Sequence, residues 1–158
     1  MPELQRLRLD HADALLAFEL ENRDYFAESI PDRGDAYFAE FGERLRGLIE
    51  EQEAGLCHFH VLVNNDGSIA GRINLVDVAD GQAELGYRIA KKASGQGVAT
   101  AAVREICLLA VSYGLRTLIA ETTAGNAGSQ AVLKKAGFVQ TGEKSFDGRP
   151  GLMFKREL

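Results

Sequence analysis

The sequence predicts an α+β fold, a mixed and mostly antiparallel central sheet flanked by helices. Three observations point to it. Apolar residues alternate with period two through residues 57–89, where "NNDG" and "ADG" supply hairpin turn signals. Stripes of apolar residues at helical spacing lie before and after that block. A long apolar helix then joins the last of these strands to a new strand at 115–124, the kind of crossover that parallel neighbours need.

The chain opens with a strand-like alternation, Leu4, Arg6 and Arg8 against Gln5, Leu7 and Leu9. Asp10 is placed to cap a first helix with Leu15, Leu16 and Leu20 on its apolar side. Pro31 and Gly34 mark a loop, after which Asp35 can cap a second helix. Phe38, Phe41, Leu45, Leu48 and Ile49 recur there at core spacing. "CHFHVLV", "SIAGRINLVDV" and "QAELGYRI" read as an antiparallel meander. "VATAAVREICLLAVSYG" is a helix closed by Gly114, and "LRTLIAETTA" is a strand. "NAGSQAVLKKAG" is a short helix between Asn126 as N-cap and Gly137 as C-cap; "FVQTGEKSF" and "GLMFKREL" form a last hairpin. The expected order is strand, two helices, three strands, helix, strand, helix, two strands, as one domain over 1–158.

Composition narrows the function. A net charge of −5 disfavours a broad nucleic-acid grip. No apolar run approaches the ~20 residues of a membrane span, and "MPELQRLRLD" lacks the apolar core of a signal peptide, so a cytoplasmic protein is expected. Cys57 and Cys107 have no C-x-x-C spacing. His58 and His60 share one side of a strand but have no third ligand nearby, so no metal is expected.

Chemistry concentrates at "KKASGQGVAT", where a strand hands over to a helix. A helix N-terminus offers unpaired N–H groups and partial positive charge to an anion. A Walker loop is excluded because no lysine follows the second glycine, and a dinucleotide fingerprint because Thr100 stands where its third glycine belongs. Gly95 and Gly97 allow close approach to the amides of Gln96, Val98, Ala99 and Thr100. Lys91, Lys92 and Lys135 are candidates for outer phosphates.

"AELGYRIAKKASGQGVATAAV", followed by a strand and "NAGSQAVLKKAGF", resembles the GNAT superfamily of acetyl-CoA-dependent N-acetyltransferases. "LLAFELENRDYFAESIP" further resembles the branch of ribosomal-protein N-terminal (alanine/serine) acetyltransferases. Two positions depart from the pattern. Ser94 stands where the pyrophosphate signature has Gln or Arg, and Leu133 where several relatives carry an acid tyrosine. The resemblance implies a GNAT fold with acetyl-CoA as cosubstrate. It implies that Ile89 and Ala90 meet the pantetheine, the turn from Gly95 to Thr100 meets the pyrophosphate, and Asn126 and Ser129 lie near the pantetheine and sulfur. It also implies the Ile89 amide as oxyanion donor, Glu121 as base acting through water and Ser129 as acid. Glu84 is the runner-up base.

A peptide α-amine, with a pKa of roughly 7.7–8.0, needs less help to become neutral than lysine near 10.4. The expected acceptor is therefore a protein N-terminus, ribosomal or other. A small amine (amino acid, polyamine or antibiotic) and a non-catalytic acyl-CoA-binding module stay open, as does a homodimer. By resemblance, the region between the first two helices walls the acceptor cleft. There Tyr25, Phe26 and Tyr37 interleave with Glu21, Asp24, Glu28, Asp32 and Asp35, a wall expected to draw a cationic amine.

Overall fold

The computed structural model describes residues 1–158 and forms a seven-stranded sheet. The strands are β1 (Glu3–Arg6), β2 (His58–Val63), β3 (Ile69–Ala79), β4 (Gln82–Ile89), β5 (Thr117–Thr123), β6 (Val139–Phe146) and β7 (Arg149–Glu157). They lie in the order β1-β2-β3-β4-β5-β7-β6. Only β4 and β5 run parallel, joined through the long helix as the sequence predicts. The hairpin turns form where glycine follows aspartate: Asp80–Gly81 and Asp147–Gly148 all adopt positive φ, the conformation that matches the twist of two-residue hairpins.

The helices are α1 (Ala12–Glu21), α2 (Arg23–Ala27), α3 (Asp35–Ala39), α4 (Phe41–Glu53), α5 (Val98–Ser112) and α6 (Ala127–Lys135). The first half therefore holds four helical pieces where two helices were expected. Asp10 belongs to a 3-10 turn, Leu9–His11, and His11 rather than Asp10 stands at the N-cap of α1. The core face of α1 is Leu15, Phe18 and Glu19, while Leu20 points outward. A carboxylate thus occupies a core position that an apolar stripe would assign to leucine. The expected second helix breaks at Glu40, whose φ of −105° and ψ of 18° leave the helical range.

Helices α5 and α6 cover one face of the sheet over a core including Val103, Ile106, Leu118, Leu133 and Phe154. On the other face α1 packs on β3 and α4 on β2, burying Leu15, Phe18, Leu45, Phe59 and Val61. That second cover stops short of β5, where Ile119, Glu121 and Thr123 remain half-buried. No helix is long and apolar enough to cross a membrane.

Candidate active site

The sheet opens at its parallel pair. β4 and β5 are in register from Gln82 and Thr117 to Leu85 and Ala120, and pairing ends there although both strands continue. β4 stays paired to β3 as far as Ile89–Gly71, and β5 to β7 as far as Thr123–Gly151, so the fissure is confined between two supported strands. The Ala90 N–H donates to the Ala70 carbonyl at 2.8 Å. Alternation along an antiparallel ladder then turns the N–H and C=O groups of Ile89 and Tyr87 away from β3 and into the fissure. Free strand-edge donors and acceptors line a cleft within the sheet.

The fissure runs into the glycine turn. Asn22, just past α1, accepts the Lys91 N–H at 2.9 Å and pins the start of this turn. Gly95 and Gly97 take φ of 74° and 77°, and a Cβ built on either meets nothing within 4 Å. Gly97 sits at the N-cap of α5 with no side chain to cap it, and the N–H groups of Val98, Ala99 and Thr100 find no acceptor within the chain. Unpaired amides at the positive end of a fifteen-residue helix form an anion cradle. Ser94 donates to the Lys91 carbonyl at 2.7 Å, so it shapes the turn rather than reaching out of it. Lys92 is paired with Glu21 at 3.3 Å, and Lys135 lies exposed in the last turn of α6.

Across the fissure stands α6. Asn126 caps it, its side-chain oxygen accepting the Ser129 N–H at 3.0 Å, which leaves the Asn126 amide NH2 free. The Ser129 hydroxyl lies 3.1 Å from the Tyr87 hydroxyl, a contact that bridges α6 and β4. Tyr87 is absent from the residues singled out in the sequence. Its signal was the period of β4, which places Tyr87 with Leu85 and Ile89, but its partner sits 42 positions away. Burial holds the Tyr87 hydroxyl above the usual phenol range, so it stays protonated and able to donate.

The carboxylates lie on the opposite side of the two strands. Glu84 is in register with Ile119, so Glu84 and Glu121 project from the same, open face. The Glu121 carboxylate accepts from the Lys144 ammonium at 3.0 Å. For Glu84, burial first and the nearby Glu121 and Asp77 carboxylates next push the pKa up, with Lys144 opposing. Either carboxylate can take a proton; Glu121 stands one position past the last paired residue, at the mouth of the fissure.

The expected acidic wall has a different composition. Arg23 holds both Asp32 and Asp35 at 2.8 Å, and its hydrogen bonds bring the Asp32 pKa down to about 2. Phe26 and Tyr37 are buried in the helical core, with Tyr25 packed half-buried against Phe26. Facing inward are arginines instead. Arg72 reaches Glu19 at 2.8 Å, Arg88 at 3.3 Å and Arg33 at 3.6 Å, with Arg72 also donating to the Tyr37 hydroxyl at 3.1 Å. Glu19 is 1% exposed, so this carboxylate is tenable inside only because guanidinium groups surround it.

A sheet opened at one parallel pair and feeding an uncapped helix agrees with the family comparison. Residues 3–139 match the acetyltransferase (GNAT) domain model. The chain belongs to the GNAT acetyltransferase family. Among curated proteins, relatives include "Probable N-acetyltransferase YjcK" of Bacillus subtilis (strain 168), 32% identical over 86% of this chain and 79% of the relative. The ribosomal-protein-S5-alanine acetyltransferase from Vibrio fischeri superimposes with a TM-score of 0.90 at 22% identity, covering 98% of this chain and 91% of that one. Mycobacterium smegmatis RimJ, in complex with CoA-disulfide, gives 0.83 at 25% identity, covering 98% and 80%. The GNAT fold expected from the sequence, a mixed sheet flanked by helices, is thereby established.

Proposed function

We propose that this GNAT domain, read as one unit over residues 1–158, transfers acetyl from acetyl-CoA to a primary amine, preferably the α-amine of a peptide or protein N-terminus. The fissure that opens past Leu85 and Ala120 and leads into the uncapped start of α5 is the observation that carries this reading. It fits a long ligand with an anionic middle and a slender thioester arm. Gly95 through Thr100 would cradle the pyrophosphate, with Lys135 toward outer phosphates. The strand edge at Ile89 and Ala90 and the free amide of Asn126 would hold the arm. The likeness to the ribosomal-protein-S5-alanine acetyltransferase, and to RimJ in complex with CoA-disulfide, supports a protein N-terminus as the acceptor.

The chemistry then follows from the groups in place. The amine nitrogen attacks the thioester carbon, charge gathers on the carbonyl oxygen, and the Ile89 N–H stabilises it. Glu121 takes the amine proton through water while the C–S bond breaks, and Ser129, oriented by Tyr87, gives the leaving thiolate a proton. Glu84 adds negative potential on the acceptor side; Tyr25 borders the acceptor, while Phe26 and Tyr37 support its wall from the core. Thiol release should be measured with an unblocked peptide, the same peptide N-blocked but containing lysine, and spermidine. Release with the unblocked peptide is the expected result. Release with spermidine alone would move the acceptor to small amines, and none with any amine would leave only a CoA-binding module.

A further inference from the structure

The arginines around Glu19 leave charge unmatched. Arg33, Arg72 and Arg88 share one carboxylate, and the only other acid on that cavity wall, Asp32, is held by Arg23. Burial first, then the neighbouring Arg33, hold the Arg88 pKa below its usual range, so a further anion beside it would relieve repulsion. The cavity these side chains line measures about 10 Å³, enough for one water or one carboxylate oxygen and nothing larger. Arg33 and Arg88 keep 32% and 17% of their side chains exposed, so both can be reached.

Their position says which ligand they meet. Residues 84, 86 and 88 of β4 point to the open face, whereas Tyr87 and Ile89 point toward α6. At one end of this row stand Glu84 and, across on β5, Glu121; at the other stands Arg88. Gly86 lies between them, and a Cβ placed on it would meet nothing within 4 Å, so the floor of the row is bare. A row with carboxylates at one end and the Arg88 guanidinium, beside Arg33, at the other is complementary to a molecule carrying an amine and an acid.

We infer that the acceptor bears a carboxylate close to its reactive amine, read by Arg33 and Arg88: a peptide with Asp or Glu at its first or second residue. This rests on the α-amine reading above. Three peptides of equal length, beginning Ala-Glu, Ala-Gln and Ala-Lys, separate the two. The expected KM for Ala-Glu is about tenfold below that for Ala-Gln, with Ala-Lys poorer still. Arg33→Gln should raise KM for Ala-Glu to the Ala-Gln value while leaving Ala-Gln and acetyl-CoA unchanged, and Arg33→Lys should keep most of the preference. Salt should erode the preference in the native enzyme and not in Arg33→Gln. Equal use of the three peptides, or a preference untouched in Arg33→Gln, overturns the inference and leaves acetyl transfer standing. Failure to acetylate any of the three overturns the α-amine reading itself.

Discussion

Glu121 and Ser129 sit on opposite walls of the fissure, and in the proposed reaction they handle different protons. Glu121 is held at 3.0 Å by Lys144 on the open face of the sheet, where its second carboxylate oxygen has no partner. Glu121→Gln is expected to lower turnover near pH 7 by about a hundredfold, the low end for positioned general bases. Much of that loss should return above pH ~8, where an α-amine is already neutral. A pH–rate profile parallel to that of the native enzyme would remove Glu121 from proton transfer. Ser129→Ala should slow turnover without recovery at high pH, and Tyr87→Phe should give a smaller version of the same profile; a native rate in Ser129→Ala would hand thiolate protonation to solvent. The local part of this site was legible in the sequence, because Asn126 and Ser129 cap one helix three residues apart. Tyr87 and the Arg33, Arg72 and Arg88 cluster were not. Their partners lie on other elements, and a buried Glu19 inside an apolar stripe gives no local sign of the arginines that make it tenable.

At the scale of elements, the proposed pyrophosphate cradle puts the control of cofactor affinity at the start of α5. Gly97 at φ 77° allows the turn, and the absent side chain leaves the amides of Val98, Ala99 and Thr100 open. Gly97→Val imposes a β-branched residue on the left-handed region, costing on the order of 1–2 kcal/mol in the turn, and places methyl groups over the cradle. Calorimetry should show CoA affinity lost by at least tenfold while the far-ultraviolet spectrum is kept; native affinity would place the pyrophosphate elsewhere. Element boundaries in the second half follow the sequence closely, because Asp80–Gly81, Asn126 and Gly137 each punctuate a chain whose period is clear. The first half did not yield its breaks. Glu40 ends α3 with neither Gly nor Pro to announce it, and α2 forms within a stretch read as loop because Phe26 packs on Phe18.

For the whole molecule, the two helical covers and the sheet depend on neutral histidines. His60 is 1% exposed, shares a 2.7 Å hydrogen bond with Tyr113, and stands beside the His58–Tyr113 stack. Burial first, then Arg6 and His58, push its pKa down to about 4 from the ordinary 6.5. The unfolded chain therefore binds a proton that the folded chain refuses between those values. Stability from this group is fully present above pH ~6.5 and is lost as pH falls toward 4, on the order of 3 kcal/mol. Urea midpoints taken from pH 7.5 to 4.5 should fall steeply in the native protein and less so in His60→Gln; parallel curves would clear His60. The topology around this core was legible, since hairpins and one crossover leave few arrangements for these strands. The fissure was not, because β4 and β5 alternate without interruption past Leu85 and Ala120, where their pairing stops. Transfer through that fissure is tested most directly by intact-mass analysis of a peptide with one free α-amine and one internal lysine, incubated with acetyl-CoA and the enzyme. One acetyl group on the α-nitrogen, with an equal amount of free CoA thiol, is the predicted result. Acetylation confined to the lysine, or bound CoA with no acetylated peptide, would contradict it.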